Sequence, residues 1–378
     1  MNVLITTLPN DIHAQAIAWG LEKYGHTVVR WYPLDLAEAS AWSFEPKAGR
    51  LTIDHRGTSQ VISFNEIDSV WLRRVPLIIP LPHIKVINER SVAESEMSHF
   101  VAGVCNALAA SCFCVNPLSD SWSAERKAGQ LTVAAQIGFD VPRTIITNSI
   151  RSIADFKERI GSTIIYKPLK PFLWKHDDGY SVSAATTAID DLSFLSSGDV
   201  IDSPAIYQEL VARRAEIRIT VMGRTVFAWS KQPAEGTAFA TADWRYELGE
   251  NVRNELYTVP PDVSEMCFAM MDRLRLKYAC FDFALTPDDR HVLFEINAGG
   301  QFLWGEDLIP ELPLLDAFCQ FLVSRDPLFR YDPPATPVTF SSFLSETNYV
   351  EDVVSEREQH FGDLGRYHYS NSSVPYWS

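Results

Sequence analysis

The chain has 378 residues and a mass of 42.6 kDa, with 46% hydrophobic and 21% charged residues and a formal net charge of −15. This is too long for one small core and predicts two or three domains of ordinary globular composition. The negative charge argues against non-specific attachment to nucleic acid or an anionic membrane, and no apolar run approaches the roughly 18 residues of a bilayer span.

Residues 2–7 read as a strand rather than a signal peptide, because no basic segment precedes the apolar run. Asn10 or Asp11 can cap a helix to Tyr24, which Gly25 ends before the apolar run Thr27–Tyr32. This βαβ opening is the unit of an open parallel sheet, but it has no GxGxxG and so no dinucleotide signature. Residues 40–66 read as a small antiparallel excursion turning near Gly49, and Asp68–Leu72 as a strand ending in Arg73-Arg74. Ser91 to Glu94 has the form of a capping box for a helix that buries Met97, Val101, Val104 and Leu108. Phe113–Val115 is a short strand, and Asn116-Pro117 closes the first domain.

One helix is expected over about 121–137, stopped by Gly138. Strands recur at Arg143–Thr147, Ile164–Lys167, Ser181–Thr186, Ile206–Val211, Glu216–Met222 and Thr225–Ser230, with a tight hairpin at Met222-Gly223. A helix over Asp262–Leu276 buries Cys267, Met270 or Met271, and Leu274, and a last helix covers 311–324. All six cysteines lie among apolar neighbours with no CxxC pair, the pattern of reduced buried thiols in a cytoplasmic protein. The tail, 331–378, has no clear period.

The most informative stretch is 279–304. Two strand-like runs flank a turn whose second position suits Pro287. Alternation sets Val292, Phe294 and Ile296 on one face and Leu293, Glu295 and Asn297 on the other, while Asp282 lies opposite Phe281 and Phe283. Antiparallel pairing then gathers Asp282, Glu295 and Asn297, an oxygen-only set suited to Mg²⁺ that also holds phosphate oxygens. Gly299-Gly300 follows, where bare amides could face an anion. Elsewhere Lys127 borders the apolar side of its helix, Lys167 ends a strand, and Glu216, Arg218 and Thr220 share a strand face. Tyr207 to Val211 is an apolar strand whose backbone can read a planar base. No Walker, GxSxG or HExxH motif is present.

Taken in order, these residues resemble the ATP-grasp superfamily. The resemblance implies that Lys127 and Lys167 hold phosphates, Gln208, Glu209 and Leu210 read adenine, Glu216 binds ribose, and Asp282, Glu295 and Asn297 hold Mg²⁺. Narrower likenesses are Trp71-Leu72-Arg73-Arg74, Asn116-Pro117, Arg126 to Leu131, Gly138 to Thr144, Asp243-Trp244-Arg245 and Glu295 to Trp304. These resemble the microviridin-type ligases, the graspetide synthetases, which cyclise ribosomally made peptides. Two departures are the single glycine, Gly179, in the phosphate-covering segment 170–181, and Ala298 where these ligases often have proline.

The expected fold is therefore α/β and α+β, an ATP-grasp architecture with a pre-ATP-grasp open α/β domain (1–116), a lid (117–204), a C-terminal antiparallel-sheet domain (205–330) and a tail. The implied enzyme is an ADP-forming ligase using ATP and Mg²⁺. It phosphorylates a side-chain carboxylate of a precursor peptide and closes an amide or ester. Arg218 and Arg245 would steady the acyl phosphate, and Arg73 and Arg74 would bind the acidic peptide. Phe172, Leu173 and Trp174 would close over ATP. A homodimer is left open. Two other readings are a ligase for a free amino acid or protein terminus, and a nucleotide-binding scaffold without turnover.

Overall fold

The structure, a computed structural model, describes residues 1–9, 11–33, 40–55, 58–77, 79–81, 83–170, 173–175, 181–183, 186–192, 200–235, 237, 239, 252–349 and 351. The chain opens with β1 (Asn2–Thr6), α1 (Ile12–Lys23) and β2 (Thr27–Trp31). An antiparallel sheet of β3 (Ala41–Glu45), β4 (Arg50–His55) and β5 (Thr58–Ser63) follows, then β6 (Ser69–Leu72), α2 (Ile87–Ser111) and β7 (Phe113–Val115). Strands β2-β1-β6-β7 form a parallel sheet in that order. Asp11 caps α1 by accepting from the His13 and Ala14 amides at 3.0 and 3.4 Å. Helix α2 starts at Ile87, ahead of the expected capping box, because the Glu94 carboxylate accepts from the Leu81 amide (3.0 Å) instead of turning back on Ser91.

The single helix expected over 121–137 is two: α3 (Leu118–Ala124) and α4 (Lys127–Ile137), broken at Glu125-Arg126. Ala124, Ala134 and Phe139 join the C-terminal core rather than the lid. The lid sheet contains β8 (Thr144–Ser149), then, past α5 (Ile150–Ile160), β9 (Ile164–Lys167). A separate hairpin of β10 (Leu173–Lys175) and β11 (Ser181–Ser183) precedes β12 (Thr187–Ile189) and β13 (Val200–Glu209). The lid order is β12-β9-β13-β8. Strand β13 pairs with both β8 and β9, through Glu209.

The third sheet holds β14 (Ala215–Met222), β15 (Thr225–Pro233), β16 (Val252–Leu256) and, after α6 (Pro261–Leu274), β17 (Tyr278–Leu285) and β18 (His291–Asn297), ordered β16-β15-β14-β17-β18 and antiparallel throughout. One face packs Ile217, Ile219, Phe281 and Phe283 against Cys267, Met270 and Met271 of α6. Gly223 sits at φ +60 in the β14–β15 turn, and a Cβ there would meet the Phe329 backbone nitrogen at 2.6 Å. Helices α7 (Leu303–Leu308), α8 (Leu314–Ser324) and α9 (Phe340–Glu346) complete the described chain. Their apolar side chains form one core with Val3, Ile5, Ile17 and Trp71 of the N-terminal unit. Part of the tail is therefore structured: Phe340 and Phe343 are buried, and Thr339 caps α9 through the Ser342 amide at 3.1 Å. Among the described residues no helix is long and apolar enough to cross a membrane.

Candidate active site

Cross-strand register builds the site on the face opposite the apolar core. Directly opposed residues of antiparallel strands share a face, and Arg218 lies opposite Asp282, which lies opposite Glu295, with Asn297 two residues on. Arg218 Nη1 donates to both Asp282 oxygens at 2.6 and 2.8 Å, and its Nη2 to the Gln301 carbonyl at 2.9 Å. Asn297 Nδ2 donates to Asp282 (3.1 Å) and Glu295 (3.5 Å), and Lys127 Nζ donates to Glu295. The turn behind the hairpin has Pro287 at its second position, closed by Asp289 N donating to Thr286 O at 3.0 Å.

The expected alternation in β18 is broken. Asp282 pairs with Glu295 but Phe283 pairs with Leu293, leaving Phe294 as an extra, bulged residue. Leu293 therefore joins Ile296 in the apolar core instead of sharing the face of Glu295. The bulge releases the Phe294 ring to the lid, where Lys167 Nζ lies 4.9 Å from its centroid.

The break between α3 and α4 matters as much. It makes Lys127 the first residue of α4, where a cation opposes the helix dipole. The Glu295 carboxylate offsets that cost. Gln130 (5% exposed) fixes α4 to the strand, donating to Ile296 O at 2.7 Å and accepting from Ile296 N at 3.3 Å.

Burial opposes the Arg218 charge, yet the Asp282 carboxylate outweighs it and keeps the guanidinium protonated. Burial first, and then the Glu295 charge, push the Asp282 carboxyl up in spite of Arg218. The pocket pairs each carboxylate with a cation, Asp282 with Arg218 and Glu295 with Lys127. Its donors are two carboxylates and an amide, all able to present oxygen, which fits a hard divalent cation once the Asn297 amide turns its oxygen inward. Among the described residues no three His, Cys, Asp or Glu side chains converge on one point, so the amide is part of any such site.

The remaining expected residues are distributed around this centre. Gln208 is buried, donates to Thr144 Oγ1 at 2.8 Å, and has a buried Oε1 with no hydrogen-bond partner. The Glu209 carboxylate accepts from Arg143 N and Nε at 2.8 and 2.6 Å, so its charge is already engaged. The Leu210 amide reaches Thr163 O at 3.4 Å, and its side chain is exposed. Glu216 pairs with Arg213 at 2.5 Å and lies opposite Lys231, a buried lysine that the sequence reading did not single out. Trp304 covers Arg218, 5.6 Å from ring centroid to Cζ, and packs edge-on against Trp229 at 4.5 Å. Arg245 lies outside the described residues, as do Phe172 and the side chains of Leu173 and Trp174.

Two expected sites are already occupied by contacts within the chain. Arg73 is 4% exposed, pairs with Asp11 at 3.1 Å, and donates to the Gly299 and Gly300 carbonyls. Arg74 pairs with the same Asp11 oxygen at 3.4 Å, but its side chain is 40% exposed. Packing pushes the Glu125 carboxyl up against the pull of Arg74, Arg126, Lys170 and Lys127, so these four cations share one neighbourhood beside Gly299. The second glycine of the pair is already engaged. The Gly300 amide bonds Asn297 O (3.3 Å), its carbonyl accepts from Tyr278 Oη (2.7 Å), and a Cβ on it would meet Cys280 Sγ at 2.7 Å.

With its parallel sheet, lid sheet and antiparallel sheet, the chain is similar in fold to solved ATP-grasp ligases. The chain is similar to the macrocyclase MdnC bound with precursor peptide MdnA from Microcystis aeruginosa MRC, at 23% identity and TM-score 0.71 over 86% of this chain and 100% of that one. It is also similar to the RiPP-associated ATP-grasp ligase of Chryseobacterium gregarium in complex with ADP and a leader and core peptide, at 22% identity and TM-score 0.73 over 86% and 97%. A third likeness is to the ATP-grasp ligase PsnB complexed with a phosphomimetic variant of minimal precursor, Mg and ADP, at 19% identity and TM-score 0.67 over 85% and 98%. No protein-family model matches the chain, and no curated protein sequence does.

Proposed function

We propose that this protein is an ADP-forming ATP-grasp ligase that joins a side-chain carboxylate of a ribosomally made peptide to a side-chain amine or hydroxyl of the same peptide. The observation that carries the reading is the Arg218–Asp282–Glu295–Asn297 face with Lys127 on Glu295, set in a fold whose similar structures hold precursor peptides and ADP.

A carboxylate is a poor electrophile, so it is first phosphorylated by ATP. That transfer needs positioning and charge neutralisation more than covalent help. Asp282, Glu295 and Asn297 would hold Mg²⁺, which when bound supplies a divalent charge at the phosphate oxygens. Lys127 then exchanges its Glu295 partner for phosphate, and Lys167 approaches from the lid. Gln208, Glu209 and Leu210 line the adenine side; the orphaned Gln208 oxygen supports this, since it has an acceptor to offer. Glu216 takes the ribose hydroxyls. Arg218, kept charged and desolvated under Trp304, steadies the acyl phosphate and then the tetrahedral oxyanion, a task shared with Arg245. The nucleophile forms the new bond to the acyl carbon, phosphate leaves with the electron pair, and the nucleophile's proton passes to solvent.

Arg74 is the substrate contact this reading favours, because its charge acts on Glu125 and its side chain, though paired with Asp11, is 40% exposed. The six free cysteines, five of them buried, fit a reducing cytoplasm. A ligase for a free amino acid or protein terminus would share every nucleotide-site residue. Magnesium-dependent ADP release separates the readings. Release that rises only when an acidic, hydroxyl- or amine-bearing peptide is added supports ours, release with free amino acids supports the other, and none under any condition defeats both.

A further inference from the structure

The segment after Asn297 carries Gln301, whose carbonyl holds Arg218, and side chains from the N-terminal domain grip its backbone on either side. Asn116 Nδ2 donates to Tyr278 O and Ala298 O at 2.7 and 3.0 Å, and its Oδ1 accepts from the Lys277 and Tyr278 amides at 2.7 and 3.2 Å. Arg73 donates to the Gly299 and Gly300 carbonyls. His13 Nε2 accepts from the Phe302 amide at 3.0 Å and the Leu303 amide at 3.2 Å. Between these grips, Gln301 O accepts from Arg218 Nη2.

We infer that His13 and Arg73, oriented by Asp11, are positioning residues that hold the 299–303 segment at the height where Gln301 aims the Arg218 guanidinium at the reacting carboxyl. This rests on the role given to Arg218 above.

The chemistry of each group fits holding a geometry. His13 is 2% exposed, and burial first, then the Arg73 charge, keep its imidazole neutral. Because both contacts at Nε2 come from amide donors, the ring proton sits on Nδ1, on the side of Asp11 Oδ1 at 4.0 Å. The two amides it satisfies open α7 and would otherwise lack acceptors. Asp11 caps α1 and pairs with Arg73, so one carboxylate sets both grips. A buried ion pair is a weak source of net stability, and Arg73 Nη2 is buried with no hydrogen-bond partner. What the pair supplies is a fixed position: Arg73 reaches 226 residues along the chain and His13 289.

The test uses full-length His13→Leu and His13→Gln, the second retaining an acceptor oxygen. Three quantities are read: amide exchange at Phe302 and Leu303, rotation of the Arg218 guanidinium by NMR, and kcat against KM. His13→Leu should speed exchange at both amides, free the guanidinium, and lower kcat by roughly 10- to 100-fold, the scale of a small misplacement of a catalytic group. KM for ATP and peptide should stay within about threefold, because neither ligand's binding contacts are removed. His13→Gln should recover most of kcat and most of the slow exchange. If His13→Leu does not fold, the glutamine variant and His13→Ala, which has no side-chain acceptor, supply the same contrast. A folded variant with fast exchange at Phe302 and Leu303 but an unchanged Arg218 signal overturns the inference, as does a rise in KM at constant kcat. If the wild type itself turns over no peptide, the functional reading fails, and the guanidinium signal alone decides whether the grip positions Arg218.

Discussion

Two adjacent arginines have opposite environments, and substitution should separate them. Arg73 is enclosed with Asp11, whose carboxyl burial would raise but the Arg73 and Arg74 charges pull down to about 2. Arg73→Ala removes the buried cation beside that carboxylate and the donor to two glycine carbonyls, so a loss of stability of about 3–5 kcal/mol is expected by denaturant melting. Arg74→Ala removes a half-exposed cation at the rim. It removes the second cation on Asp11, so it should lower the midpoint less than Arg73→Ala does, and reduce peptide turnover by roughly 10-fold, the worth of one charge-assisted contact, without weakening ATP binding. Equal loss of ATP affinity in Arg74→Ala would move that residue from the peptide to the phosphates. The residue types at the centre were legible from the chain alone, because Asp282, Glu295 and Asn297 follow from a period of two and a hairpin turn. His13, Asn116 and Gln130 were not. Each is a polar residue within or beside an apolar run, and its partner lies 160 or more residues away.

At the scale of elements, Glu306 links three helices. It sits in α7, is 4% exposed, and accepts from the Leu315 amide at the start of α8 (2.7 Å) and the Phe340 amide at the start of α9 (2.6 Å). Burial raises its pKa to about 7 even though those amides favour the anion. The unfolded carboxyl titrates near the ordinary value, so between about pH 4.5 and 7 the native state holds the proton more tightly. Its contribution to stability is therefore full below about pH 4.5 and is lost as pH rises through 7, by up to roughly 3 kcal/mol. Glu306→Gln should flatten stability against pH across that window, and an unchanged slope would show that the carboxyl is not so perturbed. Elements also mark where local sequence cues yield to distant contacts. Glu94 leaves its capping box for Leu81, the α3–α4 break puts Lys127 opposite Glu295, and the bulge at Phe294 shifts the alternation that seemed regular. Period and composition report strand and helix, but not a one-residue insertion or a break that only a remote strand rewards.

Over the whole molecule, the N-terminal unit and the C-terminal sheet share one apolar core. Phe302, Phe318 and Phe321 pack with Val3, Ile5, Ile17 and Trp71, and Trp71 lies 4.6 Å from the Phe318 ring. A fragment lacking 1–116 would expose that surface and lose the grips of His13, Arg73 and Asn116. It should show no cooperative melt, whereas a sharp transition near that of the intact chain would mean the sheets fold independently. The parallel opening could be read from its strand–helix–strand alternation, whereas the order of lid and antiparallel sheet was implied only by the likeness to ATP-grasp proteins. The shared core could not, because it joins residues at opposite ends of the chain.

The central claim is that Asp282, Glu295 and Asn297 serve a ligase that closes rings in a peptide. The most direct test incubates the protein with ATP, Mg²⁺ and a peptide bearing acidic, hydroxyl and amine side chains, and follows peptide mass and ADP together. The account predicts loss of one water per crosslink, one ADP per water lost, and a fall of at least about 10²-fold in both with folded Glu295→Gln. ADP formed without any change in peptide mass, or water loss undiminished in Glu295→Gln, would contradict it.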